Sequence, residues 1–285
     1  MTSPGSAPGV AVLMTLHAGD PLDLFERALR SIEGQRFDDE IRIYLCIDGP
    51  LPRAHAAWLA RHRARFFRVE QNAANLGLAR SLNRLIELLD DEELVFRMDG
   101  DDISLPDRFA KQAAMMRAAP ELALIGCQAD DIDDTGRLIG PRRFPVQPAR
   151  VRRALSRMNP VLHPAFCLRR SILRDPALRY PDAHLSEDLA FLVRLAERGH
   201  VIANHPETLL RWRTGAGFYA RRRDWRRGWS ELLWYRRALR ATGRHRSPAI
   251  LFPLARFGLR LLPAGWIRAL YRTRLRDRVL GNALR

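Results

Sequence analysis

The chain reads as an α/β protein, a mostly parallel, Rossmann-like sheet with helices on both faces, followed by a basic helical segment. Three observations predict this. Short runs rich in Val, Ile, Leu and Phe alternate with longer amphipathic stretches, the order that builds a helix-covered parallel sheet. The short runs are almost continuously apolar, as strands buried on both faces are. Charge is also divided unevenly. Residues 1–217 hold 30 basic and 29 acidic side chains, whereas residues 218–285 hold 18 arginines against Asp224, Glu231 and Asp277. A boundary is therefore expected near residue 217.

The elements follow in order. "GVAVLMTL" (9–16) is the first strand, and "PLDLFERALRSIEGQ" a helix with Pro21 near its start and Gly34 near its end. "IRIYLCI" (41–47) and "FFRVEQ" are the next strands, and "LARSLNRLIELLD" is an amphipathic helix. "ELVFRM" is a strand, and "PDRFAKQAAMMRAA" a helix with Pro106 in its first turn. "LALIGCQADDID", "HPAFCLRR" and "HVIANHPETLLRWR" are further strands, with the helix "SEDLAFLVRLAERG" among them. In the basic segment, "DWRRGWSELLWYRRALR" puts Trp225, Trp229, Leu232 and Leu239 near one helical face. "WIRALYRTRLRDRVL" spaces Ile267, Tyr271, Leu275 and Val279 by four, and the apolar "AILFPLARFGLRLLPAGW" lies between the two stretches.

Composition narrows the class. With 285 residues, 47% of them hydrophobic, the chain can bury a sizeable core. Cys46, Cys127 and Cys167 lie far apart inside apolar runs, with neither zinc spacing nor a disulfide framework, which suits a reducing compartment. No basic leader precedes an apolar core, and no run approaches the roughly 18 apolar residues of a membrane span. A cytosolic protein is expected. The net charge of +16 includes a compositional bias, since Lys111 is the only lysine.

The stretch "VFRMDGDDISLPDR" (95–108) sets Asp99, Asp101 and Asp102 side by side. Their repulsion requires a cation or bulk solvent. Three strands end in polar residues: Thr15 and His17 after the first, Asp48 after "IYLCI", and the aspartates after "ELVFRM". In a parallel sheet these ends share the edge where ligands bind, which favours a shared divalent ion over a solvated acidic turn. A second pair, Glu187 and Asp188, has two readings. It supplies a general base, or it decorates a first helical turn behind the N-cap Ser186. His163, before Pro164, is equally a ligand contact or a satisfied core residue.

Five motifs, "IDGP" (47–50), "NLGLARSLN" (75–83), "RMDGDDISLPDRF" (97–109), "NPVLHP" (159–164) and "SEDLAFLVRL" (186–195), occur in the order and spacing of a known family. The chain resembles a bacterial glycosyltransferase of family 2, of the kind that makes exopolysaccharide or O-antigen, with the GT-A nucleotide-sugar-binding fold. The resemblance implies a donor half near 9–130 and an acceptor half near 131–217. It makes "DGD" the family's Asp-x-Asp motif, with Asp101 the direct ligand of Mn²⁺ or Mg²⁺, Asp99 assisting the metal or binding ribose, and Asp102 in support. Asp48 would contact the nucleobase or ribose, Thr15 to His17 would line the base pocket, and Asn75, Gly77 and Leu78 would close over the nucleotide. Asp188 would be the base of a single, inverting displacement, with Glu187 orienting the acceptor and His163 a candidate acceptor contact. Thr208 in "TLLRW" stands where processive relatives carry glutamine, so addition of one sugar is expected.

The basic segment 218–285 suits an anionic membrane surface, and thus a glycan or isoprenoid-diphosphate-linked acceptor at the inner face of the cell membrane. A helical appendage packed on the catalytic domain is the plainer alternative. Two other functions fit less well. A sugar-nucleotide nucleotidyltransferase would carry a glycine-rich basic loop after the first strand, and "TLHAGDPLD" has one glycine and no basic residue. A nucleic-acid-binding protein would explain the arginines but not the acidic crevice, so nucleic acid is not the expected partner.

Overall fold

The computed structural model describes residues 9–214 and 225–261. Its parallel half consists of β1 (Val10–Leu16), β2 (Ile41–Ile47), β3 (Arg68–Gln71) and β4 (Leu94–Arg97), in the order β3-β2-β1-β4. Here β1 pairs in parallel with both β2 and β4, so the carboxyl ends of these strands share one edge. The other half contains β5 (Ile103–Ser104), β6 (Leu122–Ile132), β7 (Leu138–Arg142), β8 (Cys167–Arg169) and β9 (Val201–Arg213). The full order is β3-β2-β1-β4-β8-β6-β9-β5, with β7 on β6. In this half β6 and β9 are parallel, while β8, β7 and β5 run antiparallel to their neighbours.

Eight α-helices are described: α1 (Leu22–Glu33), α2 (Arg53–His62), α3 (Leu78–Glu87), α4 (Arg108–Ala118), α5 (Pro148–Leu155), α6 (Glu187–Glu197), α7 (Trp225–Ala241) and α8 (Leu251–Leu261). The residues of β1 divide between two cores by the period of two. Val10, Val12, Met14 and Leu16 pack with Phe25 and Leu29 of α1 and Phe109 of α4. Ala11 and Leu13 pack in the opposite layer, with Leu82 and Leu85 of α3 and Phe191 and Leu192 of α6. Both sheet faces are thereby dry, which is why these strands read as unbroken apolar runs.

Local chemistry shifts some expected boundaries. Pro106 precedes α4 instead of opening it; Asp107 is the N-cap, and the Pro106 carbonyl accepts the Arg36 N–H at 2.8 Å. "HPAFCLRR" begins as a 3₁₀ turn over His163–Ala165 and pairs as a strand only from Cys167. Pro164 has no N–H to give to a ladder.

In the basic segment, α7 buries Gly228, Glu231, Leu232, Tyr235, Ala238 and Leu239, with Tyr235 and Ala238 in the same core as Phe191 and Leu195 of α6. Arg237 pairs with Glu197 of α6 in a two-pronged ion pair. The expected single face therefore splits. Leu232 and Leu239 belong to the buried stripe, whereas Trp225 and Trp229 lie at its margin, 61% and 51% exposed. The expected boundary near 217 and the stretch 267–279 lie outside the described residues.

Candidate active site

At the end of β2, Asp48 turns its carboxylate into the chain. Oδ1 accepts from Asn72 Nδ2 at 2.9 Å and from the Leu76 N–H at 2.8 Å, and Oδ2 accepts from the Gly77 N–H at 2.8 Å. A negative charge thus meets the free N–H groups ahead of α3, whose N-cap is Gly77. Gly49 follows with φ +96°, and a Cβ there would lie 2.8 Å from the Asn75 nitrogen, so only glycine lets the two loops meet. Asn75 is exposed, and Gly77 and Leu78 are half-buried, beside this junction. After β1, the His17 N–H donates to Asp20 Oδ2 at 2.8 Å, and His17 Nδ1 lies 2.7 Å from the same oxygen. Thr15 remains within β1 and is half-buried.

At the end of β4 the aspartates converge. Oxygens of Asp99, Asp101 and Asp102 lie within 4.8 Å of one another. Gly100 permits this turn, because a Cβ there would meet Phe25 Cδ2 at 2.9 Å. Two guanidinium groups flank the cluster. Arg97, 2% exposed, pairs through Nη2 with Asp99 Oδ1. Arg213, at the end of β9, donates its backbone N–H to Asp102 Oδ1 and its Nε to the Asp101 carbonyl, both at 2.8 Å. Burial, then repulsion from Asp99, pushes Asp101 up to about 6. Burial, followed by repulsion from Asp101 and Asp99, holds Asp102 well above the usual carboxylate range. Asp102 Oδ2 is buried with no hydrogen-bond partner. An all-oxygen set with an unpaired buried carboxylate oxygen fits a hard divalent cation.

The second carboxylate pair opens α6. Ser186 is the N-cap by position, yet its hydroxyl donates to the His184 carbonyl at 3.2 Å instead of capping the helix. Asp188 Oδ2 accepts from Asn159 Nδ2 at 2.5 Å, and Oδ1 accepts from the Leu189 N–H at 2.7 Å. Burial raises Asp188, as it raises Glu187, where the neighbouring Asp188 charge adds to the effect. Leu185, held at φ +53°, donates its N–H to Glu187 Oε1 at 3.2 Å. His163 is buried, with Nε2 3.0 Å from the Tyr180 hydroxyl. Burial, then the Arg97 charge, lowers His163 well below its ordinary value, so its ring is neutral at pH 7. Tyr180 is clamped in turn by Asn83 of α3, which donates to its carbonyl at 2.9 Å and accepts its N–H at 2.8 Å.

Residues 12–175 match the family described as Glycosyl transferase family 2. The chain belongs to that family. The transferase is 31% identical over 266 residues to the amylovoran biosynthesis glycosyltransferase AmsE of Erwinia amylovora, covering 92% of this chain and 97% of AmsE. Among solved structures it resembles S. aureus TarS 1–349 in complex with UDP-GlcNAc, with a TM-score of 0.60 and 15% identity over 89% of this chain and 82% of that one. It also resembles the mannosyltransferase PcManGT of Pyrobaculum calidifontis in complex with GDP-Man and Mn²⁺, with a TM-score of 0.62 and 17% identity over 93% and 81% of the two chains. At those identities the likeness shows the fold, and the fold is GT-A.

Within the transferase, Asp99, Asp101 and Asp102 meet at the shared strand edge, and Asp188 is half-buried at the start of α6. Asp48 points inward instead, 6% exposed, with each of its carboxylate hydrogen bonds made to the chain. His163 sits in the core against Tyr180 and Phe166. Four site residues carry no role in the sequence analysis: Arg97, Asn159, Tyr180 and Arg213. Arg97 and Asn159 stand inside the quoted motifs, Arg97 two residues ahead of Asp99 and Asn159 at the head of "NPVLHP", and neither was given a role there.

Proposed function

We propose that the chain is an inverting, metal-dependent transferase that moves a sugar from a nucleotide-diphosphate donor, UDP-sugars being favoured, to a hydroxyl of a glycan or lipid-linked glycan in surface polysaccharide synthesis. The observation that carries this is the convergence of Asp99, Asp101 and Asp102 around the unpaired Asp102 Oδ2. The name of AmsE supports the polysaccharide product. The UDP-GlcNAc of the TarS complex and the GDP-Man and Mn²⁺ of the PcManGT complex support the donor class and the metal.

Asp101 would hold Mn²⁺ or Mg²⁺ directly, with Asp99 and Asp102 beside it. When bound, the ion neutralises charge that develops on the departing diphosphate. The chain supplies the rest. Asp48 holds the Asn75–Leu78 turn that, with Thr15 and His17, shapes the base and ribose pocket. Asp188, oriented by Asn159, takes the proton of the attacking hydroxyl, and its raised basicity suits that task. Glu187 orients the acceptor. One base and no enzyme nucleophile describe a single displacement, which inverts the anomeric centre. His163, neutral and engaged by Tyr180, supports the acceptor-side wall.

Acceptor delivery falls to the C-terminal helices. An open groove of about 660 Å³ runs between residues 182–184 and α7, lined by Trp229, Leu233, Arg226, Arg236 and Arg240. Leu251 and Leu254 of α8 are 64% and 55% exposed, and Trp229 meets Phe257 edge-on at 6.1 Å. Aromatic and aliphatic side chains among arginines favour an anionic lipid surface. No helix among the described residues is long and apolar enough to cross a membrane.

The test separates binding from chemistry. Asp188→Asn should keep metal-dependent nucleotide binding while transfer falls by about 10²–10⁴-fold. Substantial surviving turnover would remove Asp188 as the base.

A further inference from the structure

Helix α3 touches both halves of the chain. It begins at the nucleotide-side loop, where its N-cap Gly77 donates its N–H to Asp48. Six residues on, about 9 Å along the helix, stands Asn83, the last residue of "NLGLARSLN". Its amide makes two hydrogen bonds to one residue 97 positions away. Nδ2 donates to the Tyr180 carbonyl at 2.9 Å, and Oδ1 accepts the Tyr180 N–H at 2.8 Å. The pair works like a rung of a sheet, fixing the Tyr180 backbone in both position and rotation. A carboxamide is the side chain that offers a donor and an acceptor side by side. Helix formation does not ask for it, since Ala or Leu would serve α3 better at this position. The nearby Arg80–Asp182 pair, 3.4 Å between exposed side chains, adds little.

Tyr180 carries the link onward. It is buried, its ring stacks on Phe191 of α6 at 4.5 Å, and its hydroxyl lies 3.0 Å from His163 Nε2. Phe191 stands three residues past Asp188, on the same face of α6. Between Tyr180 and α6, residues 181–186 form neither helix nor strand, and Leu185 keeps its positive φ with its N–H on Glu187 Oε1. A positive φ at a leucine persists only where the surroundings fix it. The segment is thus fastened by Asn83 at its head and by Glu187 at its tail. We propose that Asn83 is a positioning residue. It ties the segment that carries Glu187 and Asp188 to the helix that opens on the nucleotide-side loop, and so holds the acceptor half-site in register with the donor half-site. This rests on the transferase reading above, in which Asp188 is the base. Without the amide pair, 180–186 is released, while Asp48 and the strand edge keep their own contacts. A base displaced by about 1 Å costs turnover, and nucleotide binding is spared.

The experiment compares full-length wild type with Asn83→Leu, which keeps the volume and loses both hydrogen bonds, and with Asn83→Gln, which keeps the carboxamide. Tyr44→Phe, which removes a buried hydrogen bond to Glu92 ahead of β4, controls for lost stability. Nucleotide release from UDP-N-acetylglucosamine or GDP-mannose, whichever the wild type turns over, gives kcat and donor KM. Binding of the matching nucleoside diphosphate with Mn²⁺ is measured by calorimetry, and hydrogen exchange follows the amides of 180–188. For Asn83→Leu we expect cooperative unfolding to persist and nucleotide affinity and donor KM to stay within about twofold. Its kcat should fall about tenfold or more, and exchange across 180–188 should quicken about tenfold. Asn83→Gln should exceed the kcat of Asn83→Leu by about threefold or more. Tyr44→Phe should keep kcat within about twofold of wild type. Should Asn83→Leu fail to fold, Asn83→Ala is read in the same way. Unchanged kcat or unchanged exchange in folded Asn83→Leu would overturn the proposal. So would nucleotide affinity that falls as far as kcat, Asn83→Gln no better than Asn83→Leu, or Tyr44→Phe as slow as Asn83→Leu. A wild type that neither binds nor releases nucleotide would overturn the transferase reading and this inference with it.

Discussion

At Asp101 folding and function oppose each other. Its carboxyl is raised from 3.8 to about 6, so the fold favours the protonated form. A raised carboxylate contributes stability that is present at low pH and is lost as pH rises through the folded value. Asp101→Asn imitates the protonated state. In EDTA at pH 7 the variant should therefore melt a few degrees above wild type, and the gap should close as pH falls below about 6. With Mn²⁺ the same variant should lose about tenfold or more in nucleotide affinity. Asn159 acts differently, since its Nδ2 donates to Asp188 Oδ2. Asn159→Ala should lower kcat by about tenfold and leave calorimetric nucleotide binding unchanged. The clustering of the three strand-end aspartates and the place of Asp188 in a first helical turn were legible in the sequence, because their motifs fix those positions. Arg97 carried no role there, because nothing local marks an arginine at the end of an apolar run as buried; its burial comes with the pairing of β8 to β4. Asp48 was legible as a strand-end carboxylate, but its inward hydrogen bonds depend on a loop 24 to 29 residues away.

Among the elements, the β2–α3 junction is held by one side chain. Asp48 accepts three hydrogen bonds from residues 72, 76 and 77, so Asp48→Ala removes the acceptor of two part-buried backbone N–H groups and one bond of the buried Asn72 amide. A loss of about 2–4 kcal/mol in chemical unfolding is expected. Gly49→Ala meets both a positive φ and the Asn75 backbone, and should cost about 1–3 kcal/mol. Elements with strong periodicity were legible: β2 matches its expected span residue for residue, and α3 and α6 bury the faces their patterns mark. Helix α2 buries only Trp58, so its sequence offers no apolar stripe to read. Helix α5 spans eight residues and β5 two, too short for either period to register. In α7 the buried stripe is centred on Gly228 and Tyr235, and the two tryptophans that dominate the sequence pattern lie outside it.

At the scale of the molecule, the shared direction of the strands in the parallel half follows from alternation, since each crossover helix returns the chain to the same edge. The directions of β5 and β8 do not, because each pairs with strands far away in the chain and no local pattern records where a chain returns, whereas β7 returns on β6 through the short turn 133–137. Two buried layers hold the catalytic fold, while α7 gathers Arg226, Arg236 and Arg240 beside the exposed Trp225 and Trp229, and α8 adds the exposed Leu251 and Leu254. Replacing Trp225, Trp229 and Leu233 together with glutamine should weaken binding to phosphatidylglycerol vesicles about tenfold, with unfolding and nucleotide affinity unchanged. Raised salt should weaken the wild-type interaction as well. Vesicle binding untouched by the triple substitution would remove this surface as the docking face.

The central claim is that the three aspartates hold a divalent ion against a nucleotide diphosphate. Its most direct measurement is calorimetric titration of UDP, GDP and dTDP into the folded protein, each with Mn²⁺ and with EDTA. The account predicts that one nucleotide binds, that EDTA abolishes the binding, and that Asp101→Asn weakens it about tenfold or more in the presence of Mn²⁺. Binding of equal strength in EDTA, or no binding of any of the three by a cooperatively folded sample, would contradict it.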